Sequence, residues 1–415
     1  MPYLRRLYYG WIIIASVLII TSIILGMRHS FGVFFKSIES EFGLTRATTS
    51  VISSACMLLC AVFSIIGGWA LDRYGPRITS SLMGLFFASS LLLTSRAGAP
   101  WQLFISYSLL LAIGSGGAYS VYMATATRWF DKRRGLALGI ASSGGGLGII
   151  VIAPLATYLI ASYDWRMAYI ILGGISGIVI ISLSLLLKKS PIEINLLPDG
   201  EKPAAGNNYM KSNNNNIASN DSSMLLVFRT SGFWLLWLTW VLQSSCVFLI
   251  TTHIIPHATD VGVSTMEAAL VLSLIGISSF LGRILAGSTS DVVGRKTVSI
   301  ITALLGAAAL IWLIRAQELW MFYLFAVAFG ISWGGLSTMV TVLIGEVFGS
   351  GILGTIMGWL GVAWFLGAAI GPAVGGLVFD VNNEYYLAFI IGAVAMLITA
   401  ILMALLKRQE MNHNL

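Results

Sequence analysis

Five polar residues interrupt apolar segments of this 415-residue sequence where they could do chemistry: His29, Tyr119, His253, Ser279 and Arg283. Arg283 poses the sharpest question. A guanidinium does not shed its proton in a protein, and an arginine at a bilayer centre costs about 2.5–3.5 kcal/mol on insertion scales. Such a group must face a wet cavity or an anion, and its planar fork suits a carboxylate held by two parallel hydrogen bonds. Gly276, Ser279, Arg283 and Gly287 fall on one helical face. That face is small and polar enough to border a cavity or to pack tightly. Tyr119 shares a stripe with Ser115, Tyr122 and Ala126. Its phenol can donate to a carboxylate, or it can join two helices. The histidines titrate near neutral pH when unperturbed, so His29 and His253 are candidates for carrying a proton, lining a pathway or gating it. His253 and His257 are spaced for joint metal ligation, but no third ligand accompanies them, and no metal or cofactor is expected.

These residues need long apolar elements to hold them, and the composition supplies such elements. Hydrophobic residues make up 57% of the chain and charged residues 10%, against about 25% charged in soluble domains. A bilayer crossing takes about 20 mostly apolar residues. The first half offers such segments near 8–34, 47–71, 77–96, 101–128, 134–161 and 166–187. The second half offers 231–257, 265–289, 297–314, 319–345, 350–378 and 385–406. The expected organisation is a six-helix bundle over 1–190, a polar Asn-rich linker over 191–229 and a second six-helix bundle over 230–415. The net charge of +7 sits in short loops between apolar segments, which argues against nucleic acid as a partner. Placing both termini in the cytoplasm puts about 17 lysines and arginines inside and about 5 outside, as the positive-inside rule demands. Arg28 and Arg283 then lie within the membrane. The 3 cysteines, Cys56, Cys60 and Cys246, lie in apolar segments and suggest no disulfide framework.

The two halves repeat each other. Gly68-Trp-Ala-Leu-Asp72-Arg73-Tyr-Gly75-Pro-Arg77 follows the second segment, and Gly287-Ser-Thr-Ser-Asp291-Val-Val-Gly294-Arg295 follows the eighth with the same Gly, Asp, Gly spacing. Pro154 and Pro372 occupy matching places in the fifth and eleventh. A duplicated six-helix unit in parallel orientation is the internal symmetry of one large transporter class.

With these motifs the chain resembles a major facilitator superfamily transporter over nearly its whole length. The resemblance implies an all-α membrane protein of twelve transmembrane helices in two pseudo-symmetric bundles. It also implies a conformational latch at Asp72 and Asp291, with Arg73, Arg77, Arg295 and Arg128 as available cations; a tight-turn role is the alternative. The first segment, Tyr9-Gly10-Trp11 followed by Arg28-His29-Ser30-Phe31-Gly32-Val33-Phe34-Phe35 and Glu41-Phe42-Gly43, is similar to the monocarboxylate transporter branch and its bacterial relatives. In that branch the eighth helix carries an arginine that binds substrate carboxylate, and Arg283 falls on it. Animal members have a lysine where this chain has His29 and an aspartate where it has Ser279.

The implied function is secondary active transport of small monocarboxylates such as lactate or pyruvate, coupled to protons, by a monomer in the cell (inner) membrane. Arg283 would bind the carboxylate, with Tyr119, Ser279, His29 and His253 around it, and His29 or His253 would carry the proton. Alternatives are exchange of oxalate- or formate-like anions, export of a larger amphiphile, or a nutrient sensor that moves nothing. An enzyme is disfavoured, because the sequence offers no nucleophile–base pair, metal cluster or phosphate loop.

Overall fold

The computed structural model describes residues 8–130, 134–194, 196–200, 227–348 and 353–406, without the side chains of 134–136, 200, 291, 345–348 and 353–358. Residues 201–226 of the expected linker therefore lie outside the described residues. Before them, Pro191–Ile194 and Pro198–Gly200 form short 3₁₀ turns.

The described residues contain helices and no strand. Among the described residues, eleven helices are long and apolar enough to cross a membrane: α1 Tyr9–Phe42, α2 Arg46–Thr94, α3 Pro100–Trp129, α4 Ala137–Ser162, α5 Trp165–Ser184, α6 Ser231–Asp260, α7 Thr265–Ser290, α8 Arg295–Leu313, α9 Leu319–Ile344, α10 Trp359–Asn382 and α11 Tyr386–Leu405. At 1.5 Å per residue α2 would extend roughly 70 Å, more than twice the hydrocarbon thickness. It is two limbs, parted at Gly75, whose φ of 80° and ψ of 168° no helix contains. Ten helices and two limbs make the twelve crossings that hydropathy predicts. Gly294, the matching glycine of the second half, also has positive φ, at 96°. This conformation is nearly glycine-only, so both signature loops turn for the same backbone reason.

The chain forms two compact units. Unit 1 holds residues 1–42 and 55–209, and unit 2 holds 43–54 and 210–415. Residues 43–54 belong to the first half in sequence, yet they cluster with the second.

Within each unit the helices pair in the same order. In unit 1, Gly26 of α1 meets Gly148 of α4, Gly67 of α2 meets Gly117 of α3, and Gly84 of the second limb of α2 meets Ile180 of α5. In unit 2, Gly371 of α10 abuts Ser245 and Leu249 of α6, Gly334 of α9 abuts Ser279 of α7, and Gly306 of α8 abuts Met396 of α11. Crossings 1 and 5, 2 and 4, and 3 and 6 thus correspond to 7 and 11, 8 and 10, and 9 and 12. Association in lipid has no hydrophobic drive between helices, so backbones approach where small residues let them. Pro154 and Pro372 sit within α4 and α10, and both helices continue through them. Large apolar side chains such as Ile65, Val151 and Ile178 lie exposed on the outside of unit 1, the arrangement expected where the surrounding solvent is lipid.

Candidate functional site

Arg283 lies on α7, seven residues before the helix ends at Ser290. One side of α7 is a seam with α9: Gly282 meets the Ile331 backbone, and Ser278 and Ser279 meet Gly330. The opposite side, with Ile277, Phe280, Leu281 and Ile284, is exposed. Arg283 is half-buried between seam and exposed stripe. Ser279, expected beside it at the substrate, is 1% exposed. Its backbone lies against Gly330 and Gly334 in the seam. Tightness, one of the two readings that the small polar face allowed, is what the seam uses.

In unit 1, α1 breaks at Ser30, whose N–H caps Gly26 O at 3.0 Å. Arg28 and His29 thereby occupy the last turn of the first limb, where the helix dipole favours cations. Both are buried, at 5% and 6% exposure. Arg28 donates from Nη2 to Met57 Sδ at 3.0 Å, and Cys56, Cys60 and Tyr107 lie within its electrostatic reach. Tyr107 belongs to a π-helical stretch of α3, Phe104–Leu110, and its ring contacts Phe31 and Tyr169. Such stretches are frequent at functional sites. Nothing in the sequence marks it, because a π turn has no periodic signature. Tyr119, further along α3, is 54% exposed, whereas Tyr122 is enclosed.

His253 and His257 sit in a different setting, where α6 ends, α11 begins and α2 starts. His253 is fully buried. Its Nε2 faces Pro372 O at 2.9 Å and Ser50 Oγ at 3.3 Å, and its Nδ1 faces Tyr385 Oη at 3.0 Å. Arg46 Nη1 donates to the same phenol oxygen at 2.7 Å, and both guanidinium amino groups reach the Asp260 carboxylate, at 2.7 and 3.1 Å. The guanidinium also stacks on Phe379, 3.7 Å from its centroid. Asp380 caps the start of α2, accepting from the N–H groups of Arg46 at 3.0 Å and Ala47 at 2.9 Å. His257 packs among Phe322, Tyr385 and Phe389. The sequence missed Arg46, Asp260, Asp380 and Tyr385. They are scattered over 340 positions and resemble ordinary interfacial residues; the signal available was that each stands at a helix end.

The signature loop of unit 1 is held by Asp72, whose carboxylate accepts from Arg128 Nη2 at 2.9 Å and whose carbonyl accepts from Lys189 Nζ at 3.1 Å. Of the available cations it takes Arg128. Arg73 instead lies over Trp69 and Tyr74, and Arg77 is exposed. In the second copy the Asp291 side chain lies outside the described residues, and Arg295 is half-buried at the start of α8. Trp364 edges Trp240 and Phe248, and Trp359 edges Phe228. No group of three metal-ligating side chains occurs among the described residues, and the three cysteines are buried and unbonded to one another.

A sequence model of the Major Facilitator Superfamily matches residues 17–291 and 253–414. The chain is 27% identical over 418 residues to monocarboxylate transporter 12 of Xenopus laevis, covering 96% of this chain and 89% of that protein. It is 25% identical over 392 residues to monocarboxylate transporter 13 of Bos taurus, covering 94% and 87%. Among solved structures, a bacterial homologue of the human lysosomal transporter Spinster superposes with a TM-score of 0.72 at 18% identity, covering 96% of this chain and 95% of that one.

Proposed function

Because this chain belongs to the Major Facilitator Superfamily, with monocarboxylate transporters among its relatives, we propose that it carries small monocarboxylates of the lactate and pyruvate type across the cell (inner) membrane by proton-coupled symport. It is a multi-pass membrane transporter and not an enzyme. In our reading both termini are cytoplasmic, the transporter works as a monomer, and the two units exchange access to one site. Asp72 and Asp291, with Arg295, belong to the cytoplasmic latch, and Asp72 draws on Arg128.

One observation carries the reading: a permanent cation, Arg283, stands inside a membrane helix, half-buried, beside a seam too tight to admit anything else. A carboxylate is the ligand that its fork fits. Tyr119 supplies a phenol on an exposed face of unit 1, and His29 a titratable ring near the break of α1. The test is binding of lactate, pyruvate and other short carboxylates to the purified chain, followed by thermal shift or calorimetry. A charge-assisted hydrogen bond contributes about 1.5–3 kcal/mol, so Arg283→Ala should weaken binding by roughly 10- to 100-fold. Arg283→Lys, which keeps the charge and loses the fork, should recover only part of it. Equal binding by wild type and both variants rejects the assignment.

Coupling has its own test. In proteoliposomes, carboxylate uptake should rise with an imposed inward proton gradient, and uptake indifferent to that gradient rejects symport. The burial of Arg28 favours a second reading, exchange of oxalate-like anions, since a second buried cation suits a second negative charge. Uptake that requires a preloaded counter-anion would select it.

A further inference from the structure

We propose that His253 is a proton-binding gate residue: in its neutral form it locks the first turns of α2 into unit 2, and protonation releases them. The proposal deepens the coupled-transport reading and rests on it for direction. It does not depend on the cargo.

Hydrogen-bond chemistry fixes the state of the ring. Pro372 O can only accept. Ser50 Oγ has already given its proton to Arg46 O, at 2.7 Å, so towards His253 it too can only accept. Both partners of Nε2 therefore require a proton there. Tyr385 Oη already accepts from Arg46, and its own hydrogen is free to point at Nδ1. The closed cluster thus runs from Asp260 to Arg46, to Tyr385, to His253, to Pro372, each of these hydrogen bonds joining a donor to an acceptor. The ring in it is the neutral Nε2–H tautomer.

A second proton, on Nδ1, breaks this order. It turns an acceptor into a donor 3.0 Å from an oxygen that already serves a guanidinium, on a ring that is fully buried. Arg46 is linked to His253 through the Tyr385 phenol, and Asp380 stands at the start of α2 beside Arg46. Asp380 is already committed to the backbone N–H groups of Arg46 and Ala47, and Asp260 is clasped by Arg46. His257 is another titratable ring, set edge-on to Tyr385. The closed arrangement therefore accepts the neutral ring and rejects the charged one, and by linkage protons favour the arrangement in which the ring is released. Acid on the side of this cluster, outer if the termini are cytoplasmic, opens it.

The mechanical part follows from two glycines. A Cβ on Gly375 would strike the His253 ring, and one on Gly376 would strike Arg46 O and Ser50 Oγ. The start of α2 is thus seated directly on α10, with His253 as the side chain that joins them.

The experiment uses the full chain in lipid nanodiscs without any substrate, with spin labels at the exposed positions Thr48 and Met266, and reads their separation by pulsed electron resonance. The native cysteines are buried and remain. At pH 7.5 the short separation should dominate, and at pH 5.5 a longer one should grow about tenfold; the uptake of one proton permits at most roughly 100-fold over two pH units. His253→Gln, whose amide nitrogen can still donate to Pro372 O, should keep the short separation at both pH values. Asp260→Asn and Tyr385→Phe should each show the long separation already at pH 7.5, and either suffices if the other fails to fold. A pH response that survives in His253→Gln assigns the sensor to His257, Asp260 or Asp380 and overturns the proposal. So does a short separation retained in both other variants. Because no carboxylate is present, failure of the Arg283 assignment leaves this result unaffected.

Discussion

Buried polar side chains in this protein serve either as joints between helices or as candidate sites, and their partners tell which. Gln243, at 1% exposure, donates to Trp333 O at 3.1 Å and Ser337 Oγ at 2.9 Å. It is a joint between α6 and α9. Gln243→Leu leaves the Ser337 hydroxyl and the Trp333 carbonyl without this donor. A buried group so abandoned costs about 1–3 kcal/mol, so the variant should melt several degrees lower while its carboxylate affinity stays near wild type. Arg283 differs because it is a permanent cation, half-buried beside the seam of α7 with α9. His253 differs again, because each of its partners dictates a protonation state. Among the five residues that opened the sequence analysis, Ser279 lies buried at the seam with α9, and its small polar face was ambiguous for a physical reason. Small polar residues suit a tight seam and a wet wall equally well.

Helix ends and helix breaks carry more of the design than helix middles. Gly75 and Gly294 hold a backbone conformation that side chains resist, at a cost on the order of 1–3 kcal/mol for a strained residue. A Cβ at either position meets no close atom that would block it by bulk alone. Gly75→Ala should therefore lower thermal stability through backbone strain, while an alanine at Gly98, which has no positive φ, should not; differential scanning of the two variants checks this. The Asp72–Arg128 bridge is different in kind. Both groups are substantially exposed, at 74% and 31%, and such pairs contribute about 0–1 kcal/mol. Asp72→Asn should leave the melting temperature nearly unchanged and act on transport rate, which is the signature of a latch over that of a brace. At the other end of unit 1, Trp165 and Arg166 at the start of α5 both donate to Glu41, so Glu41 ties the end of α1 to that helix.

At the scale of the molecule, duplication explains the pairing of crossings, and the lipid solvent explains why apolar side chains cover the outside. Orientation is the prediction that belongs here. With cytoplasmic termini, a cysteine placed at Thr45 or Val261 should react with an impermeant maleimide added outside intact cells, and one at Tyr74 only after permeabilisation. The reverse pattern would invert the assigned sides and, with them, the side whose acidity opens the His253 cluster.

Periodic and compositional properties were legible from residues alone: twelve apolar stretches, the repeated Gly, Asp, Gly spacing, the glycine runs, and a lone arginine set deep in a helix. They are local, because bilayer thickness and backbone sterics act on neighbours in the chain. The tertiary structure decided which face of α7 is seam, that Arg28 is buried, and that residues 43–54 belong with unit 2. It alone assembled Arg46, Asp260, Asp380, Tyr385 and His253, five residues from three helices and the turn before α11. A hydrogen-bond network is specified by direction and distance between groups, and those exist only once the helices have chosen their partners.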